Sequence, residues 1–381
     1  MSTETEGDGG SIRATGLTDS DALLMAANAV ALFTLPWVLV DGLGIFAEFV
    51  DLSIGGYVGL PSLILIYGIV VIGYNLLLGY TGLLSFGHAA FFGTGAYVAG
   101  VVSQSVGSPI VMLLAGTAVA TLIAWPIGWV SIRRTGVYFA VITLTFGQML
   151  YFWALGPGSF VTNGDNGFSE VGTEPILGIF ELDSAVFPNI DLLQSYTYEY
   201  IFVAILALLA LWIANRILKS PYGLIFEALG QNQQRVSFVG LNVQRYKLMA
   251  FIISAVFAGT GGALFIMHEN YVHPNTAYFW IQSGDFVIMT ILGGAGSLVG
   301  PVFGAFIFEY VANVISGISL PVIGAIGSLW RIVLGAVFVI IVWTFPKGVY
   351  PGVRDFLVRR GARDALDRLG DRVRNRGGEG E

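Results

Sequence analysis

The chain has no cysteine among its 381 residues, which excludes disulfides, thiolate metal sites and cysteine nucleophiles. Charge is scarce too: 11% of residues are Asp, Glu, Lys or Arg, against roughly 25% in soluble domains. Lysine is nearly missing, with Lys219, Lys247 and Lys347 beside fifteen arginines. His88, His268 and His273 do not fall at a metal-binding spacing such as HExxH, and no GxxxxGK[ST] phosphate loop occurs. ATP hydrolysis by this chain is therefore not expected, and nucleotide chemistry would belong to a partner. No paired carboxylates or Ser-His-Asp order stands out either, so an enzyme is not expected.

What is present is apolar length. Hydrophobic residues make up 55% of the chain, glycine contributes 51, and the mean hydropathy is +0.76. Several runs approach the roughly 20 residues that cross about 30 Å of hydrocarbon as a helix. The short alternating segments of a transmembrane barrel are absent. The expectation is an all-α, polytopic membrane protein with about ten transmembrane helices in the cell membrane. Spans are expected near 22–40, 61–78, 86–102, 109–130, 137–155, 200–218, 248–267 and 328–345. Two more lie between 284 and 314, separated by the turn GGAGSLVGP.

Basic residues set the orientation. Arg133 and Arg134, the segment 219–247 and the arginine-rich tail 347–381 are expected on the cytoplasmic side. Residues 1–21 read as a disordered cytoplasmic tail before a transmembrane domain over 22–346, which places both termini inside. The loop 156–200 carries seven acids and no Lys, Arg or His, which suits the outer side and an external partner or a plain solvated loop.

The stretch Leu76 to Gly100, LLLGYTGLLSFGHAAFFGTGAYVAG, combines apolar character with glycines, Ser85 and His88. Such density serves either close helix packing or broken backbone along a substrate pathway. Asn75, Thr145 and Gln148 raise the same alternatives: Thr145 and Gln148 share a helix face, and all three could bind a polar solute or join helices. Small residues at i,i+4 spacing, Ser254, Ala258 and Gly262, then Gly300 and Gly304, point to packing. Asp285, Glu309 and Arg331 fall near expected span ends. With His88, the two acids are the titratable groups that a stand-alone ion-coupled carrier could recruit.

Lys219 to Leu248 reads as a cytoplasmic segment with a short helix. Pro221 suits a first turn, Phe226 and Leu229 share a face, and Gly230 marks a weak point or an end. It is a natural docking element or an ordinary connection.

Four blocks, in order, resemble the permease subunits of branched-chain amino acid ABC transporters. They are NLLLGYTGLLSFGHAAFFGTGAY (Asn75–Tyr97), TGVYFAVITLTFGQML (Thr135–Leu150), SPYGLIFEALGQNQQRVSFVGLNVQRYKLMAF (Ser220–Phe251) and ILGGAGSLVGPVFGA (Ile291–Ala305). The resemblance implies a pore built with a second homologous permease, two ATPase subunits below and an extracytoplasmic substrate-binding protein above, delivering Leu, Ile or Val. It implies that Gly223, Glu227, Ala228, Asn232 and Gly240 contact the ATPase, although Leu224, Gly230, Gln231 and Gln233 stand where the family usually has Arg and acidic residues. Asn75, Ser85, His88, Thr145 and Gln148 are the candidates for the pathway. Membrane lipid is a partner, nucleic acid is not, and no cofactor beyond ATP on the partner subunits is implied.

Overall fold

The computed structural model describes residues 28, 30–42, 57–169, 171–175, 181–182, 184–186, 196–317, 319–320, 324–325, 330–346 and 348–352. The tail 1–21, nearly all of 347–381 and parts of the loop 156–200 lie outside them. The main helices are α1 (Leu60–Asn75), α2 (His88–Ser103), α3 (Pro109–Ser131), α4 (Val137–Leu155) and α5 (Tyr198–Leu218). Two short helices follow, α6 (Pro221–Gln231) and α7 (Gln233–Phe238). The chain continues through α8 (Val243–Glu269), α9 (Trp280–Gly293), α10 (Gly300–Gly317) and α11 (Trp330–Thr344).

The fold winds around α1. Every residue from Leu60 to Asn75 is buried, the signature of a helix apolar on all sides and surrounded by protein. Pro61 starts it, where a missing N–H costs nothing. Its neighbours are α8, α10, α5 and α9. At its far end the helix widens into a π-helical turn, Leu76–Tyr80, before an irregular link to α2.

Small residues let α2, α3 and α8 approach at backbone distance, the packing mode that hydrocarbon favours. A side chain on Gly95 would collide with the Gly259 carbonyl, and one on Gly262 with the Phe92 carbonyl. Gly116 faces Gly95 with equally little space. Thr117 and Thr260 add a hydroxyl bond of 3.1 Å between α3 and α8. Farther along, Gly304 lies against the Met289 carbonyl and Gly300 against that of Gly293, closing α9 onto α10.

The outer helices face away from protein. Leu122 and Trp125 on α3, Val141 and Phe152 on α4, and Trp343 on α11 are exposed. Apolar surface of that extent belongs against lipid or another subunit. At one end of the bundle, Arg133 stacks over Trp129 at 4.0 Å, and Gly128 has no room for a side chain beside Leu248 and Phe251. That end also holds Tyr80, α6 and α7. At the other end, Phe168 pairs with Val272 and Ala185 with Thr197, while the hydroxyls of Tyr196 and Tyr200 donate to the Phe33 and Leu32 carbonyls.

Among the described residues, six helices are long and apolar enough to cross a membrane alone. Val30–Val40, α2, α9 and α10 are shorter. At 1.5 Å per residue, the 14 residues of α9 reach only about 21 Å. The break between 284 and 314 does separate two helices, and beside the two single-residue bridges the described residues hold one pair of two-residue strands, Ser319–Leu320 with Gly324–Ala325.

Candidate functional site

Two regions carry features that bundle packing alone does not require: the α6–α7 pair and a cavity among α1, α9 and α10. Pro221 opens α6 in its first turn, and Phe226 and Leu229 bury one face at 0% and 1% exposure. The helix stops at Gln231 because Asn232 is extended, with φ −162° and ψ 105°. The Asn232 Oδ1 accepts from the Gln234 and Arg235 amides at 3.0 and 3.2 Å and so starts α7. Glu227, Ala228, Asn232 and Gly240 all lie on the exposed side.

Gly223 does not. It is buried, and a Cβ there would collide with the backbone of Leu218. Its smallness serves the α5–α6 corner rather than an outward contact. Residues not expected from the sequence complete the outward face: Leu224 at 69%, Phe238 at 87% and Val239 at 79% exposure. The i,i+4 spacing of Leu224 and Ala228, opposite Phe226 and Leu229, was the available signal.

The polar residues of the glycine-rich stretch are placed at the end of α1. Asn75 is buried; its Nδ2 donates to the Ser297 carbonyl at 2.8 Å and its Oδ1 accepts from the Gly296 amide at 2.8 Å. His88 is fully buried, with Nδ1 3.0 Å from the Ser85 hydroxyl and Nε2 2.7 Å from that of Ser254. Tyr74, Phe91 and Phe251 pack edge-on around its ring. The Tyr74 hydroxyl donates to the Ser85 carbonyl at 2.7 Å. Every polar atom of the imidazole has a protein partner, so this geometry favours the joining of helices over contact with a solute.

His88→Ala is accordingly expected to lower stability by about 3 kcal/mol, through a cavity and two stranded hydroxyls. Thermal unfolding of the detergent-solubilised protein reads this out. An unchanged melting temperature would contradict the cage.

Thr145 is exposed, and its hydroxyl donates to the Val141 carbonyl at 3.0 Å. Gln148, one turn along, is half-buried, and its Nε2 has no partner. It is the only shielded side-chain polar atom so placed among the described residues. The structure does not join these two to Asn75, Ser85 and His88 by any hydrogen bond.

The cavity has a volume of about 730 Å³, and Tyr67, Gln282, Asp285, Glu309 and Arg331 are among its lining residues. Asp285 and Glu309 sit within α9 and α10 rather than at span ends, and both face this space. A second cavity of about 450 Å³, between α2, α3 and α4, is almost wholly apolar, with Ile123, Met149 and Trp153 in its wall. Close to the first cavity, His268 and Glu199 pair at 2.6 Å and tie α8 to α5.

A bundle with a lipid-ready exterior, a cavity between its helices into which a few charged and polar side chains face, and a paired-helix platform at one end is a multi-pass membrane transport protein. Residues 56–342 match the family described as branched-chain amino acid transport system / permease component. The chain belongs to that family. It is 29% identical to the high-affinity branched-chain amino acid transport system permease protein LivM of Escherichia coli K12 over 316 residues, covering 78% of this chain and 71% of that protein. It is 26% identical to the corresponding LivH protein of Salmonella typhimurium LT2, over 74% of this chain and 90% of that one. A shorter likeness, 24% over 149 residues, links it to the autoinducer 2 import system permease protein LsrC of Salmonella paratyphi B, covering 38% of this chain and 40% of that protein. No solved structure matches the chain.

Proposed function

We propose that this chain is one of two related permease subunits of an ATP-driven importer for branched-chain amino acids or similarly small polar solutes. Separate ATPases bind the α6–α7 face on the cytoplasmic side, and an extracytoplasmic binding protein delivers solute to the opposite end. Both termini are then cytoplasmic. Transport proceeds by alternating access, with helices packed through glycine switching between two arrangements.

The observation that carries this reading is the α6–α7 face. Leu224, Glu227 and Ala228 on α6, and Phe238 and Val239 at and just past the end of α7, stand exposed on two consecutive short helices, where a soluble partner can cover them. The chain itself has no phosphate loop. Similarity to both LivM and LivH supports pairing with a second permease.

A second reading draws on Asp285 and Glu309, which face the larger cavity: carboxylates among membrane helices are the usual groups of ion-coupled carriers. Reconstituted vesicles separate the two. Uptake of labelled leucine is expected to require ATP and the co-purified subunits, and the pair Asp285→Asn with Glu309→Gln is expected to leave that ATP requirement in place. Uptake by the chain alone under an ion gradient, lost in the same double variant, would overturn the importer.

A further inference from the structure

We propose that Asn75 is a positioning residue that carries displacement of α6 to the turn between α9 and α10, with the π-helical turn Leu76–Tyr80 as the element that moves. The inference rests on the importer reading and adds to it a route between the ATPase face and the cavity. Its first link is backbone against backbone. Gly230, near the end of α6, abuts the Tyr80 carbonyl so closely that a Cβ could not fit, and Gly82, at φ +69°, faces Gly230 with room for no more than a Cβ in ordinary contact, 3.7 Å from the Gly230 Cα. Glycine at both places leaves no side chain to cushion a shift of α6, so a push is delivered to the end of α1.

The second link is the turn itself. A π-helical turn holds one residue more than an α-helical turn of the same rise, and such insertions gather at functional sites. It is discrete: the extra residue is either accommodated or passed along, and each change of register rotates the following residues by about 100°. A relay needs such a two-state element, not mere proximity.

The third link is Asn75, immediately before that turn. One amide engages both the Gly296 N–H and the Ser297 carbonyl, each at 2.8 Å, more than 220 residues away in sequence. Gly79, four residues on, has Asn75 Oδ1 and the Gly296 amide where its Cβ would be. The gripped turn is tight in its own right, with the Ser297 hydroxyl donating to the Gly294 carbonyl at 2.7 Å and Gly296 at φ +83°. It joins α9, which presents Gln282 and Asp285 to the larger cavity, to α10, which presents Glu309. The amide is thus the side-chain grip by which α1 can draw both cavity-lining helices.

The test compares the intact transporter with its Asn75→Ala form in vesicles, reading leucine uptake and ATP hydrolysis together. Hydrolysis is expected to stay within about twofold of wild type while uptake falls more than tenfold. Asn75→Asp, which keeps the acceptor for Gly296 but loses the donor, is expected between the two. Since the chain has no cysteine, spin labels at Gln234→Cys and Phe303→Cys supply a second readout: their separation is expected to change on adding ATP with Asn75 present and not with alanine. Wild-type uptake in Asn75→Ala, or hydrolysis and uptake falling in parallel with an unchanged label response, would overturn the relay alone. A wild-type assembly without ATP-driven uptake would remove the importer reading and the relay together.

Discussion

Gly262→Leu is expected to eliminate folded protein from the membrane. The Cα of Gly262 faces the Phe92 carbonyl and the Ala96 amide on α2, and a Cβ built there overlaps the carbonyl oxygen. The obstacle is helix backbone, which cannot rotate aside as a side chain would. Overpacking usually costs about 1–3 kcal/mol. Here α2 must separate from α8 along its length, which also opens the Gly95 contact with Gly259. The cost should therefore exceed about 4 kcal/mol, a large part of the stability of most proteins. Gly335→Ala on α11, where a Cβ meets nothing within 4 Å, is the control and should leave the protein unchanged. Size-exclusion profiles of the two variants in mild detergent decide the matter: a monodisperse Gly262→Leu protein would show that glycine does not set the α2–α8 distance.

Ala228→Arg is expected to abolish uptake while leaving the protein in the membrane at its normal level. Ala228 is exposed on α6, on the side away from Phe226 and Leu229. In the free chain an arginine there is simply solvated. In a docked complex its charge would be buried under the partner beside Leu224, one helical turn away, at a cost of several kcal/mol. A loss of about 3 kcal/mol weakens association more than a hundredfold. Gly223→Arg, by contrast, is expected to damage folding, because Gly223 faces the Leu218 backbone. The pair separates the two roles that the sequence block Ser220–Phe251 left merged. Normal uptake by Ala228→Arg would remove α6 as the coupling surface.

Helix positions were largely legible because their punctuation is local. α3 and α4 begin and end within a residue of the expected 109–130 and 137–155, since Pro109 starts one and Gly136 and Gly156 flank the other. The start of α8 was less so. It begins at Val243, five residues before the apolar run, because the Asn242 side chain caps it through the Arg245 amide at 3.2 Å and Lys247 is buried in its first turns. Hydropathy cannot register a helix whose first turns hold Arg245 and Lys247. The site was less legible for a different reason. Nothing near Asn75 announces its bonds to Gly296 and Ser297, and nothing near Asp285 announces that Glu309 lines the same cavity; both follow from tertiary packing. Periodicity reports which face of a helix is apolar, not what stands opposite it.

If separate ATPases drive this permease through α6 and α7, they should accompany it out of the membrane. Affinity purification of the tagged chain in mild detergent, with mass spectrometry of what accompanies wild type and Ala228→Arg, tests it most directly. A second permease is expected with both forms, and P-loop ATPases with the wild type alone. A homogeneous, partner-free chain that still carries leucine under an ion gradient would contradict it.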